Sequence, residues 1–325
     1  MNENFISRLR CPQTHQSLKL EASSIGGIYA HDYLVSVDGQ HRYSIRNCIA
    51  RFVPESNYAD NFGMQWNHFS KTQLDSHSGV PISSDRFWKA TGWNPSDMND
   101  KWVLDVGCGA GRFAEVALNT GAHVVALDYS SAVDACWANL KHHKNLHVVQ
   151  GDIYTLPFAP ESFDFVYCLG VLQHTPNVKK AFAALPPMVV KGGYLCADVY
   201  WKRLQSILNM KLLLRPMLKR IPQQKLFNFL ARAVPIMLPI SQFLGRSPVG
   251  GKILKRLIPV ADYTGVHPLT DSQLNEWALL DTFDWFAPKY DNPQTARQIR
   301  KWFDEAGLLE IQVFHGGHLV GRGQK

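Results

Sequence analysis

From residue 101 the chain alternates short apolar runs with amphipathic stretches. WVLDVG (102–107), HVVALD (123–128), LHVVQGD (146–152), FDFVYCLG (163–170) and GGYLCADVY (192–200) have strand length and are rich in β-branched and aromatic residues. Windows near 112–119, 130–141 and 177–190 place apolar residues at helical spacing between them. Strands that alternate with helices predict an α/β doubly wound fold, a parallel sheet with helices on both faces. After Tyr200 the rhythm breaks. Residues 201–261 are helix-rich but cut by prolines at 216, 222, 235, 239 and 248. Regularity resumes at 293–323, where a helix near 294–306 stops at Gly307 and two strands follow. The core is therefore assigned to 101–200 and 291–325, with 201–290 inserted after the fifth strand.

The first hundred residues read differently. RLRCPQTHQSLKLE followed by the alternating GGIYAHDYLVSVDGQHRYSIRNCIARFVP predicts a small β-rich module over 1–55, with three short strands and a turn at Asp38-Gly39. Residues 56–100 form a linker in which YADNFGMQWNHFS (58–70) predicts a helix and TGWNPSDMNDK a loop.

Composition narrows the class. The 325 residues are 46% hydrophobic, enough to fill a large core. No run of about 18 apolar residues occurs, so no spanning helix is expected. MNENFISRLRCP lacks the apolar stretch of a signal peptide, and the six cysteines are scattered, which suits reduced thiols in a cytoplasm. The net charge of +7 is uneven. Residues 201–261 hold twelve Lys/Arg and no Asp or Glu, which leaves 34 − 12 = 22 basic against 27 acidic residues elsewhere. The basic character belongs to one segment.

The chemistry gathers around VLDVGCGAGRF. Alternating glycines at 107, 109 and 111 let the backbone turn sharply and approach a ligand with no Cβ in the way. A dinucleotide fingerprint needs a glycine at position 112, which is Arg112. The loop therefore suits an adenosyl and amino-acid moiety better than a pyrophosphate. Asp128 ends the second strand, where an acid accepts bonds from both ribose hydroxyls. Asp152 ends the third, placed to accept the exocyclic amine of adenine.

VLDVGCGAGRF, ALDYS, GDIYTLPF, FDFVYCLGVLQHTPN and KGGYLCADVY together resemble the successive motifs of the class I S-adenosylmethionine-dependent methyltransferases, most closely the small-molecule type. The resemblance covers 100–200 and 293–323. It implies a seven-stranded, mostly parallel Rossmann-like sheet and S-adenosylmethionine as cofactor. Asp105, Gly107, Gly109 and Gly111 would hold the methionine part, Asp128 the ribose, and Asp152 with Ile153 the adenine. Cys108, Tyr129 and Leu169 join this cofactor set. Gln65 does so too, with Trp66 and Asn61 beside it, because in the family a segment ahead of the first strand often closes over the cofactor.

Methyl transfer asks mainly for alignment, and a base only where the acceptor must lose a proton. His174, after the fourth strand, is the candidate catalytic base; the alternative is that it only lines the cofactor. Trp285 and Tyr290, with His267 and Asp284, are candidate substrate contacts, or else core packing. The N-terminal module resembles a zinc-ribbon-like unit that accompanies some methyltransferases. It lacks a second knuckle: Cys11, His15 and Cys48, with His31 and His41, do not supply four converging ligands, so a metal-free remnant is expected.

The basic insertion admits three readings: a lid over a small acceptor, a contact with an anionic membrane (a cytoplasmic protein peripheral at the inner membrane face), or a grip on nucleic acid. The function expected is S-adenosylmethionine-dependent methyl transfer to an O, N or C nucleophile of a small or amphipathic, even lipid-linked, acceptor. An RNA methyltransferase is the alternative. It lacks an Asn/Asp-Pro-Pro-aromatic motif, since the only Pro-Pro, at 186–187, follows Leu185. A non-catalytic cofactor-binding subunit is the third reading, and the intact acids and glycines speak against it.

Overall fold

The computed structural model describes residues 3–21, 32–54, 57, 59–202, 210–247 and 250–325. The chain opens with α1 (Glu3–Ile6) and strands β1 (Leu18–Glu21), β2 (Asp32–Ser36), β3 (Arg42–Arg46) and β4 (Ile49–Arg51). Helices α2 (Asp60–His68), α3 (Asp75–Ser78) and α4 (Ile82–Thr91) follow. The core then runs β5 (Trp102–Val106), α5 (Arg112–Leu118), β6 (His123–Asp128), α6 (Ala132–Leu140), β7 (Leu146–Gln150), β8 (Phe163–Cys168), α7 (Val178–Ala183) and β9 (Val189–Val199). Next come α8 (Met210–Leu218), α9 (Gln223–Gly245), α10 (Gly251–Leu254) and α11 (Asp271–Phe286). The chain finishes with α12 (Ala296–Glu305), β10 (Leu309–His315) and β11 (Leu319–Gln324).

Eleven strands form one sheet in the order β1-β2-β3-β4-β7-β6-β5-β8-β9-β11-β10. Strands β5 to β9 are mutually parallel, and β11 runs antiparallel to β9. Strand order reverses at β5, with β6 on one side and β8 on the other, so a crevice opens at the carboxyl ends of these strands. Val103, Leu104, Val124, Val125 and Val166 are fully buried there, each contributing about 1.5–3 kcal/mol relative to exposure.

The sheet corrects the expected seven strands. Seven, from β7 to β10, are the anticipated set; the N-terminal segment adds four at the edge, where three were expected. Ala50 and Arg51 pair in parallel with Val149 and Gln150, and Arg51 reaches Asp134 at 2.6 Å and Gln150 at 2.8 Å. Leu34, Tyr43 and Ile45 enter the same core as Leu104 and Val125. The Cys11 thiol is buried 3.1 Å from the Tyr43 hydroxyl, and Cys48 is exposed in the β3–β4 turn. His31 lies outside the described residues. Among those described, no three His, Cys, Asp or Glu gather as a metal site.

The insertion packs as its own unit. Leu226, Leu230, Val234 and Leu238 form the buried stripe of α9, against Phe283 and Phe286 of α11. Prolines expected to break the helices do not: Pro216 lies inside α8, and Pro235 and Pro239 inside α9. Each removes one backbone N–H, and the packing of the stripe outweighs that loss. The 23-residue α9 contains no unbroken apolar run of about 18 residues, yet it has the length to cross a membrane. It is the one helix, among the described residues, long and apolar enough to do so.

Candidate active site

A cavity of about 710 Å³ sits at the carboxyl ends of the central strands. Its cofactor-side wall is the loop after β5. Gly107 has φ 86° and Gly109 φ 52°, left-handed conformations that favour glycine. A Cβ on Gly107 would lie 2.3 Å from the Val171 side chain, and one on Gly109 3.2 Å from the Trp66 ring. The Gly107 and Cys108 amides donate to the Leu127 carbonyl at 2.7 and 3.0 Å, fastening the loop to β6. Gly111 begins α5 behind the loop, against Leu140 and Cys136, and does not line the cavity.

The three strand-tip acids have different surroundings. Asp128 lines the cavity: Oδ2 accepts from the Gly109 amide at 3.0 Å, and Oδ1 from the Ser130 amide and hydroxyl at 2.8 and 2.7 Å. Burial raises its pKa against the pull of those donors. Asp105 lies beneath the loop at 1% exposure. Burial pushes its carboxyl well above the usual range and the charge on Asp128 adds to this. Asp152 is half-buried and is not in the lining: its Oδ1 accepts from the Tyr154 amide at 2.9 Å, and its neighbours Gly151 and Ile153 line the cavity.

Of the remaining cofactor candidates, Cys108, Tyr129, Leu169 and Gln65 line the cavity, and so does Trp66; Asn61 is buried outside the lining. Both side-chain amide atoms of Gln65 are buried with no hydrogen-bond partner. Buried polar atoms are ordinarily paired, so unpartnered ones at a cavity call for a ligand with donors and acceptors of its own. S-adenosylmethionine, with its amino, carboxylate, ribose and adenine groups, fits this set.

His174 lies in the opposite wall. Its Nδ1 is 3.1 Å from the Tyr290 carbonyl, which only accepts, so Nδ1 donates and Nε2 is the ring atom left to meet a ligand. The rings of Phe62 and Tyr200 flank the imidazole at 5.2 and 5.4 Å. Tyr290 thus acts through its backbone, and its side chain is not part of the wall; Trp285, His267 and Asp284 are.

The end of the cavity lined by Arg86, Arg112 and His318 holds residues the motifs did not reveal, with Asp198 bonded to Arg86 outside the lining. Asp198, at the end of β9, is 1% exposed; its Oδ2 accepts from Arg86 Nη2 of α4 at 2.8 Å, and its Oδ1 accepts from the Gly170 amide. Burial opposes its ionisation, yet His318 and Arg86 hold it well below the ordinary carboxylate range. Burial and the nearby Arg86 lower the pKa of His318, whose Nδ1 lies 3.0 Å from Arg86 Nη2 and 3.3 Å from Asp198 Oδ2. Arg112 lines the same end, bonded to the neutral Ser83 and Gln73 side chains. From α11, Asp281 accepts from the Tyr263 hydroxyl and Asp284 from Tyr200 at 3.1 Å. Burial raises the Asp281 carboxyl to about 6. Apart from Asp284, already a candidate from its aromatic surroundings, each of these residues lies outside the stretches that carry the resemblance or is anonymous in them, so spacing gave no signal for them.

This fold and cavity agree with the family comparison: residues 104–197 match the model described as a methyltransferase domain. Residues 104–197 are thus similar to a methyltransferase domain, and this stretch supplies the glycine loop and the strand-tip acids. The chain is similar to sterol 24-C-methyltransferase ERG6B of Gibberella zeae, 34% identical over 109 residues, 30% of this chain and 29% of that protein. It is also similar to a ubiquinone biosynthesis O-methyltransferase of Aliivibrio fischeri, 30% identical over 133 residues, 40% of this chain and 57% of that protein. The chain thus spans less than two thirds of the length of the curated relatives it matches. Among solved structures, phosphoethanolamine N-methyltransferase 1 of Haemonchus contortus has 19% identity and a TM-score of 0.36, over 46% of this chain and 34% of that one.

Proposed function

We propose that the protein transfers a methyl group from S-adenosylmethionine to an O, N or C nucleophile of a small or amphipathic acceptor. One observation carries the reading. The glycine loop, Asp128 and the unpartnered Gln65 amide share a single cavity with Asp281, Asp284 and Trp285 of the insertion. That cavity has a cofactor end built from the matched domain and an acceptor end built by α11.

Bound S-adenosylmethionine supplies an electrophilic methyl on a sulfonium. The chain's own groups then have separate tasks. Asp128 accepts the ribose hydroxyls, and the glycine loop brings bare backbone to the amino-acid part. His174, its Nδ1 tied to the Tyr290 carbonyl, offers Nε2 to the proton of an O or N acceptor. The helix α11 walls the acceptor end with Leu280, Asp281, Asp284 and Trp285. The relatives are named for a carbon and an oxygen methyl transfer, which keeps both atoms within this proposal.

Titration calorimetry with S-adenosylhomocysteine tests the cofactor end, and label transfer from methyl-labelled S-adenosylmethionine to candidate amphiphiles tests the acceptor end. Folded protein that takes up no S-adenosylhomocysteine would refute the reading.

A further inference from the structure

Helix α9 is apolar on two faces. One stripe is spent on α11, as described. A second, formed by Phe229, Ala233, Ile236, Ile240 and Phe243, recurs three or four residues apart and points away from the protein. Phe243 is 73% exposed, Ile236 67% and Phe229 58%. The neighbouring helices repeat the pattern: Leu213 and Met217 on α8, and Ile253 on α10, are also exposed. Most of the large apolar side chains exposed among the described residues lie in this insertion. Isolated exposed leucines need no explanation, whereas a concentration of this kind marks a surface that meets something apolar.

The charge around it selects the occupant. Lys225 and Arg232 stand one turn before and after Phe229, on the same face of α9. Lys219, Arg220, Arg246 and Arg256 are exposed on the adjoining segments. No acid occurs anywhere between 201 and 261. A second copy of the chain, docking by the same face, would bring these cations together with no acid to offset them. Nucleic acid would use the cations and leave the phenylalanines and isoleucines wet. An anionic bilayer satisfies both sets of groups, headgroup charge for the lysines and arginines and the acyl boundary for the apolar stripe. Spanning is disfavoured by the inward stripe. To cross a membrane, α9 must leave Phe283 and Phe286 and strip α11, which bears Asp281 and Asp284, of its support.

We propose that the insertion docks the protein peripherally on an anionic lipid surface, with α9 lying in the plane of the interface. On the methyl-transfer reading, to which this clause alone is tied, α11 stands between that surface and the cavity, so the acceptor is drawn from the same lipid layer.

Vesicle flotation of the full chain tests the proposal without cofactor or turnover, so it can fail independently of the enzymatic reading. Vesicles of phosphatidylcholine with one quarter phosphatidylglycerol should carry the protein, and vesicles of phosphatidylcholine alone should carry it at least about tenfold less well. The pair Phe229→Ser and Phe243→Ser should lower partitioning by about tenfold or more. Melting temperature and S-adenosylhomocysteine affinity should stay unchanged, because both side chains face solvent. Lys225→Gln and Arg232→Gln should each weaken binding about fivefold. Equal binding to both vesicle types, or to neither, overturns the proposal. So does vesicle-bound protein that resists alkaline carbonate extraction, which would make α9 a spanning helix. A dimer abolished by the same serines, with no vesicle binding, would assign the face to a second copy instead.

Discussion

The Gly109 amide donates to Asp128 Oδ2 at 3.0 Å, so the glycine bend and the tip of the neighbouring strand form one unit before any ligand arrives. Asp128 therefore positions the loop, in addition to the ribose contact proposed for it. Asp128→Ala should weaken S-adenosylhomocysteine by about 1–3 kcal/mol, the scale for leaving polar groups unpaired. Asp128→Asn, which keeps one acceptor oxygen, should lose less. Calorimetry separates the two; equal affinity in all three proteins would sink the ribose assignment.

Arg86 should prove structural and functional at once. Arg86→Met leaves Asp198 buried without its cation, a change that costs about 3–5 kcal/mol in comparable buried pairs. The pH dependence has a definite sign. Asp198 is held below its ordinary value, so its contribution is present above the unfolded carboxylate range and fades as the pH falls from about 4 through the folded value. Urea unfolding of the wild type and Arg86→Met at pH 7 and pH 3 should show the gap between them narrowing in acid.

Asp281 has the opposite sign. Its folded pKa of about 6 lies above the unfolded value of about 3.9, so the fold loses roughly 2–3 kcal/mol as the pH rises between those values. Asparagine mimics the protonated acid and still accepts from Tyr263. Asp281→Asn should therefore raise the melting temperature at pH 8 and leave it nearly unchanged at pH 4. A carboxylate kept in a cavity wall against stability is a mark of use, and the same variant should transfer methyl groups at least about tenfold more slowly. Unaltered turnover would reduce Asp281 to a packing residue.

Away from the cavity, His147 sets the acid limit of the fold. It stacks between Phe5 at 4.3 Å and Trp102 at 5.6 Å, and its Nε2 is buried without a partner. Burial first, then His123 and Arg8, lower its pKa to about 4. Its unfolded value is about 6.5, so its contribution is complete above that pH and declines by roughly 3 kcal/mol as the pH falls to 4. His147→Phe keeps the stack and has nothing to titrate. Its melting temperature should decline less than that of the wild type between pH 7 and pH 4.5, and parallel curves would contradict the assignment.

What the sequence revealed follows from how local each signal is. Strands β5 to β8 are nearly or fully buried, so they read as continuous apolar runs, and HVVALD has the same limits as β6. The glycine loop and Asp128 were legible because backbone freedom and a strand-tip acid are written within a few residues. Strand β4 was not, because its link to the sheet is a two-residue parallel register with β7 that no local pattern encodes. Nor were Arg86, Asp198 and His318, which are separated by 112 and 232 residues and gain meaning only when α4, β9 and the final hairpin converge. The prolines of α9 misled for a related reason: propensity is local, whereas the stripe that overrides it is tertiary.

The wall formed by Gly316, Gly317 and His318 belongs to the turn between β10 and β11. A nascent chain that has finished β9 already owns its nucleoside loop but leaves Asp198 without the imidazole that shelters it. That wall is completed only when the hairpin folds back onto β9.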